Sequence, residues 1–239
     1  QNSVIDYAIL ENCVREDLDA SAPRRMAVID PLKLVITNLP EGHDESLTFS
    51  NHPKDESYGT RKVPFSSELW IEREDFAEVP PKGFHRLKPD GEVRLRGVGI
   101  VKCEKLIKDA SGNVTELHGT LDLESRSGMP GADRKVKGTI HWVSAKHGVA
   151  AEIRVYDRLF NVPTPDDESD GKSWLEHINP DAKRIVRGWL EPEAANAAPE
   201  QRYQFERLGY FIADRIDHRT DAPVFNRTVT LRDTWAKQA

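Results

Sequence analysis

The sequence predicts a mainly β protein, a short helical segment followed by two β-barrels. Three observations carry that expectation. Short apolar runs with a two-residue alternation recur between turn residues along most of the chain. Only the first stretch shows a long helical stripe. A tract of about 200 residues in the strand style is more than one small barrel holds, so two are expected. No repeat of fixed period and no low-complexity tract interrupts it.

In chain order, residues 3–18 read as a helix, with Ser3 and Asp6 at capping-box spacing and Ile5, Ile9 and Leu18 on one stripe. Pro23 closes it. Residues 26–29 and 32–36 are β-rich runs broken at Asp30-Pro31. Further strands are expected at 68–71, 92–96, 100–107, 114–123, 138–143 and 151–156, with 109–113 (DASGN) as the turn of a hairpin. Residues 161–172 are polar, acidic and proline-bearing, hence a loop, and a helical turn follows at 173–178. A second loop at 194–200 leads into RYQFERLGYFIAD, which returns to strand, and PVFNRTVTLRD supplies the last one.

Composition narrows the function. The 239 residues carry a net charge of −6, with 38% hydrophobic and 31% charged residues, the balance of a folded chain with much polar surface. No apolar run approaches the roughly 20 residues of a membrane span, and the N-terminus lacks the basic and apolar regions of a signal peptide. Cys13 and Cys103 lie in periodic apolar segments and are expected to be reduced thiols of a cytoplasmic protein. Gln1 stands where a start methionine would, so a piece of a longer chain is expected.

Catalytic motifs do not emerge. There is no phosphate-binding P-loop, and Gly97-Val98-Gly99 lacks the third glycine of a dinucleotide fingerprint. The eight histidines are scattered without zinc spacing, and His141 in TIHWV reads as packed or surface. Asp166, Asp167, Glu168 and Asp170 form a solvated loop run, and no GxSxG elbow supports a triad.

What remains is basic and aromatic. Arg24 and Arg25 follow the helix; His85, Arg86, Arg94 and Arg96 share FHRLKPDGEVRLR; Arg202 and Arg207 flank Tyr203, Gln204 and Phe205; Arg227 and Arg232 sit at the end. In EVRLRG the alternation sends Arg94 and Arg96 to one face, roughly 7 Å apart, where they repel unless an anion or a carboxylate stands opposite. Gln204 and Arg207 combine a planar amide with a guanidinium, groups that make paired hydrogen bonds to base edges. Such a face suits unstacked single-stranded RNA better than a duplex.

Seven words, in order, carry a resemblance: SVIDYAILENCVREDLDASAPRRMAVIDPLKLVI, VPFSSELWIEREDF, RLKPDGEVRLR, KVKGTIHWVSA, EIRVYDRLF, QFERLGYF and PVFNRTVTLRDTWAK. Together, over residues 2–237, they resemble the C-terminal anticodon-binding region of bacterial glutaminyl-tRNA synthetases. The resemblance implies two barrels of a type shared with a ribosomal protein. A helical connector would occupy residues 1–22, a proximal barrel 23–80 with 160–239, and a distal barrel 81–159 inserted between them. It implies tRNA of the glutamine isoacceptors as ligand, the synthetase's own catalytic domain as neighbour, a monomer, and no membrane partner. ATP and magnesium would belong to that catalytic domain, whose HIGH-like and KMSKS-like motifs do not occur here, so no cofactor and no catalytic residue is expected in this chain.

Residue by residue, Arg24 falls at the family's arginine for the middle anticodon base, with Gln204 and Arg207 helping to hold that base. Arg86 aligns with an arginine at the third base, and Arg94 and Arg96 with a pair at the first base and its phosphate. Thr234 lies in a terminal stretch that approaches the same loop. His85 departs from the lysine common beside Arg86, and Gly83 stands where a side-chain contact can occur. A neutral imidazole donates once and can stack, whereas lysine brings a full charge, which Lys82 partly replaces. Two other readings stand beside this one. One is a glutamyl-tRNA synthetase domain of the same architecture. The other is a β-barrel protein-interaction module in which Arg94 and Arg96 pair with Glu72, Glu74 or Asp75.

Overall fold

The computed structural model describes residues 7–167, 169 and 171–232. Helix α1 spans Tyr7–Ser21 and, as expected, stops before Pro23. Its expected capping residues Ser3 and Asp6 lie outside the described residues. The packed stripe differs from the predicted one: Ile9 is 57% exposed, whereas Val14 and Leu18, four residues apart, meet Tyr210, Val229 and Leu231. Only the last turns of α1 rest on the body of the protein, so the earlier apolar residues face outward. The Arg15 Nε–H fixes that contact by donating to the carbonyl of Thr230 at 2.8 Å.

The chain then makes two two-residue strands, β1 (Arg24–Arg25) and β2 (Ala27–Val28), followed by β3 (Pro31–Ile36). A hairpin of β4 (Asp44–Ser50) and β5 (Thr60–Ser66) comes next, then β6 (Glu68–Glu72), β7 (Glu92–Leu95), β8 (Gly99–Lys108) and β9 (Val114–Asp122). The expected turn at 109–113 joins β8 to β9, with Asp109 Oδ1 accepting from the amides of Ser111 and Asn113. Short β10 (Thr139–Ile140) and β11 (Val143–Ser144) precede β12 (Val149–Tyr156) and β13 (Lys183–Leu190). After a one-turn helix α2 (Pro192–Ala195) come β14 (Arg202–Phe205), β15 (Gly209–Ala213) and β16 (Val224–Val229). The helical turn expected at 173–178 is a 3-10 turn over Trp174–His177, where the Glu176 carboxylate accepts from the Ser173 amide.

These strands form two barrel-like sheets. One runs β10-β7-β8-β9-β3-β6-β11 and the other β1-β14-β15-β16-β12-β13-β2, with β4 and β5 paired beside the first. In each sheet one short stretch supplies both edges: β10 and β11 are separated by His141 and Trp142, β1 and β2 by Met26. Bringing both edges to one stretch leaves little unpaired backbone to recruit another chain. The expected continuous strand at 138–143 is split for the same reason. Its first half pairs in parallel with β7 and its second half antiparallel with β6.

Pairing draws the barrel boundaries elsewhere than the expected insertion at 81–159. Strand β3 pairs with β6 and, in parallel, with β9, so residues 31–144 build one sheet. Its alternating inward residues Leu32, Leu34 and Ile36 join Leu69, Ile71, Val93, Leu117 and Trp142 in a single core. Strand β12, expected in the distal barrel, instead pairs with β13 and β16 around Ile153, Phe205, Phe211 and Phe225. The second barrel thus takes residues 24–28 and 149–229.

Candidate nucleic-acid interface

The two barrels meet along a seam of charged side chains, and the seam positions the arginines singled out in the sequence. Asp75 ends the 3-10 turn Arg73–Asp75 that follows β6 and is 0% exposed. Its carboxylate accepts from Arg207 Nη1 at 2.6 Å and Nη2 at 2.5 Å, a bidentate fork reaching across from the second barrel. Arg86 Nε lies 3.0 Å from the same carboxylate. The backbone explains that reach: the Leu87 amide donates to the Asp75 carbonyl, which sets Arg86 beside it. Arg207 occupies the turn between β14 and β15 with a φ of 68°, and is 27% exposed on its side chain. Burial alone would lower its pKa, but the hydrogen bonds and charge of Asp75 outweigh burial and hold it above the ordinary arginine value.

Behind the fork sits His141, 1% exposed, with Nδ1 3.2 Å from Arg207 Nη1. Because Arg207 can only donate, Nδ1 accepts and the ring proton sits on Nε2. That nitrogen lies 3.8 Å from Glu72 Oε1, whose carboxylate also receives the amides of Ile29 and Asp30. His141 is therefore a packed residue that backs Arg207.

A cleft of about 370 Å³ opens over this group, lined by Gly83, Phe84, His85, Arg86, Gly138, Thr139 and Arg207. Three of the expected site residues, His85, Arg86 and Arg207, thus come together. Gly138 is required there: its φ is +93°, and a Cβ would stand 1.8 Å from the His85 carbonyl oxygen. Gly83 has a φ of +83° and open space where a Cβ would be.

The other expected residues occupy two further places. Arg24 pairs in register with Gln204, between β1 and β14. Arg24 donates to the carbonyls of Ala22 (2.6 Å) and Asp19 (3.0 Å) and to Asp19 Oδ1 (2.6 Å), tying α1 to the barrel. Gln204 donates to the Tyr210 hydroxyl at 2.9 Å, which in turn reaches Asp19 at 3.4 Å. The hydrogen bond from Lys54, together with Arg24, holds the Asp19 carboxyl below the usual carboxylate range despite partial burial.

Arg94 lies in β7, whereas the strand stops at Leu95 and Arg96 stands in the turn after it, and the two do not share an anion. Arg94 donates to the carbonyls of Ser125 (3.2 Å), Ala132 (3.2 Å) and Arg134 (2.7 Å), clamping the loop after β9. Arg96 meets Glu206 at 2.5 Å, the residue before Arg207. Neither pairs with Glu72, Glu74 or Asp75, the carboxylates considered for them from sequence. Thr234 lies outside the described residues.

A larger cleft of about 1040 Å³ lies between the barrels and shares Arg86 and Arg207 with the smaller one. It adds Arg184 and Arg187 from β13, Arg227 from β16, and Arg232. The β13 arginines escaped the sequence reading because no strand was expected there. Asp75 was considered only as a partner of Arg94 and Arg96, and its pairing with Arg86 and Arg207 was not expected. Among the described residues no group of three or more His, Cys, Asp or Glu could hold a metal ion, and no helix is long and apolar enough to cross a membrane.

The chain is similar to curated proteins from Xanthomonas and Xylella, among others. It is 71% identical to a protein named Glutamine--tRNA ligase from Xanthomonas euvesicatoria pv. vesicatoria and 65% identical to one of the same name from Xylella fastidiosa. Both alignments cover 99% of this chain and 41% of the relative, so the chain spans about two fifths of their length. Residues 22–122 and 139–214 each match a family described as "tRNA synthetases class I (E and Q), anti-codon binding domain". Those matches take in the first barrel, the second barrel except β16, and both arginines of the Asp75 fork, and the chain belongs to the anticodon-binding domains of the class I tRNA synthetases of the E and Q type.

Proposed function

We propose that this chain is the anticodon-reading module of a glutamine--tRNA ligase, binding tRNA of the glutamine isoacceptors. The observation that carries the reading is the Asp75 fork, which presents two guanidiniums from different barrels at the rim of one cleft. Arg207 spends three of its five N–H donors on Asp75 and His141, leaving two for a base edge. Arg86 beside it serves the third anticodon base, while Arg207, Gln204 and Arg24 serve the middle one. Arg94 and Arg96 serve the first base and its phosphate, and Thr234 approaches the same loop. His85, in the place of a lysine, stacks or donates once. Joining glutamine to the tRNA with ATP and magnesium is the task of the synthetase's catalytic domain, beside which the module works as a cytoplasmic monomer.

The test is binding to two tRNAs that differ only in the anticodon. A good bidentate arginine–base pair contributes about 1–3 kcal/mol of discrimination, or about 5- to 150-fold. Arg207→Ala is expected to lose that factor on the cognate tRNA and to change the other little. Equal losses on both tRNAs would overturn base reading by Arg207.

A further inference from the structure

We infer that the large cleft between the barrels is a phosphate track, in which Arg184, Arg187, Arg227 and Arg232 hold the sugar–phosphate backbone of the bound tRNA without reading its sequence. The inference rests on the tRNA-binding function proposed above and extends it to residues no part of that reading uses. No carboxylate among the described residues lies within ion-pair distance of any of the four arginines. Arg227 donates one hydrogen bond to the Tyr156 carbonyl at 3.1 Å. Burial pushes its pKa down, the charge of Asp157 pulls it back, and the nearby Arg184 opposes it to a lesser degree.

The carboxylates that line the same cleft are already committed. Glu72 receives the amides of Ile29 and Asp30, Glu74 lies 3.6 Å from Arg86, and Asp30 lies 3.5 Å from Arg73. An acidic protein, at net −6, that gathers four guanidiniums without an ion-pair partner among the described residues in one concavity leaves like charges side by side, and an anion relieves their repulsion. The concavity selects a polyanion over a single ion. It holds about 1040 Å³, room for several nucleotides, and its mouth at Arg86 and Arg207 is continuous with the cleft of the Asp75 fork. An RNA with bases at the fork has its backbone next to these arginines. Arginine suits the role because its fork matches phosphate oxygens bidentately.

Arg184 and Arg187 are exposed on β13, and their side chains make no hydrogen bond or ion pair among the described residues, so truncating both should leave folding intact, checked by thermal melting. Binding of the chain to tRNA with the glutamine anticodon and to its anticodon-swapped twin is measured between about 50 and 300 mM salt. R184A/R187A is expected to weaken both tRNAs by the same factor, on the order of tenfold at 0.1 M salt, leaving their ratio unchanged. The log–log salt slope should flatten by about 0.7–0.9 per lost contact. R184K/R187K, which restores charge alone, should return most of the slope. Unchanged affinity and slope in R184A/R187A, with the wild type still preferring the cognate tRNA, would overturn the track and leave anticodon reading intact. A loss confined to the cognate tRNA would also overturn it, by turning these arginines into base readers. A wild type that binds both tRNAs equally, with the slope still falling in the variant, would sustain the track and overturn anticodon reading. No RNA binding at all would overturn both.

Discussion

Asp75 shows how a single side chain decides what two arginines can do. Left alone, Arg86 and Arg207 would sample many rotamers, and ordering them on a ligand would cost entropy. Joined through one fully buried carboxylate, they are oriented in advance. Replacing Asp75 by Ala removes the charge and leaves both guanidiniums facing a low-dielectric pocket. Breaking a buried ion pair by removing one partner costs about 3–5 kcal/mol, and the low end applies because Arg207 keeps some water. Urea unfolding of Asp75→Ala is therefore expected to show a loss of about 3 kcal/mol, and a loss below 1 kcal/mol would mean the fork contributes only a surface pair. The arginines themselves were legible in the sequence, because a guanidinium next to an amide and aromatics is an uncommon combination. Their carboxylate was not. Asp75 and Arg207 lie 132 positions apart, and nothing local in WIEREDF distinguishes the buried Glu72 and Asp75 from the exposed Glu74. Arg94 carries the converse lesson. Same-face spacing pointed to an anion or a carboxylate opposite it, whereas three backbone carbonyls accept its hydrogen bonds.

At the scale of elements, legibility followed the completeness of the alternation. Strands β3, β7 and β9 bury every second residue and were readable from that pattern. Strand β4 (DESLTFS) is nowhere fully buried: its inner residues Leu47 and Phe49 pack against the first core but stay partly exposed. Strand β13 (KRIVRGWL) exposes its first three residues together, so no period appears until it joins the body at Gly188. Neither was expected from the sequence, for a physical reason: β4 offers only two apolar residues to mark its inner face, and the first five residues of β13 include none that is fully buried. The segment 138–144 looked like one strand and is a crossing between two sheet edges. Gly138 begins that crossing in a left-handed conformation, against the His85 carbonyl. Gly138→Ala meets both obstacles, a positive φ and a backbone clash, and should destabilise by about 2–3 kcal/mol. Because the clash falls on His85, the variant should also bind cognate tRNA more weakly than its loss of stability explains. Binding measured well below its melting temperature separates the two effects, and unchanged affinity there would detach Gly138 from the cleft.

For the molecule as a whole, the question is what fixes one barrel against the other, since both clefts lie between them or at their junction. Apolar contact at the seam includes the stacked pair Trp70 and Trp189, with ring centroids 5.4 Å apart. Ion pairs also cross the seam: Arg61 of the first barrel on Glu191 of the second, and Arg96 of the first on Glu206 of the second. Glu191 is 1% exposed, and burial pushes its pKa up, while the charges and hydrogen bonds of Arg61 and the Met26 amide pull it back. A buried pair of this kind is weak evidence for net stability, because desolvation of both ions consumes most of their attraction. Its value lies in the penalty for mismatch. An isolated Arg61 or Glu191 would cost several kcal/mol, so the barrels are stable only in the relative position that satisfies both. Two consequences separate this account from simple adhesion. Single variants Arg61→Met and Glu191→Leu should each lose about 3–5 kcal/mol, whereas the double variant should lose much less than their total. It should still fall about 1–2 kcal/mol short of the wild type, because the Met26 amide then lacks its 3.0 Å acceptor in Glu191. Additive losses in that cycle, read from urea midpoints, would show that the two side chains act independently and that apolar packing alone holds the barrels in register.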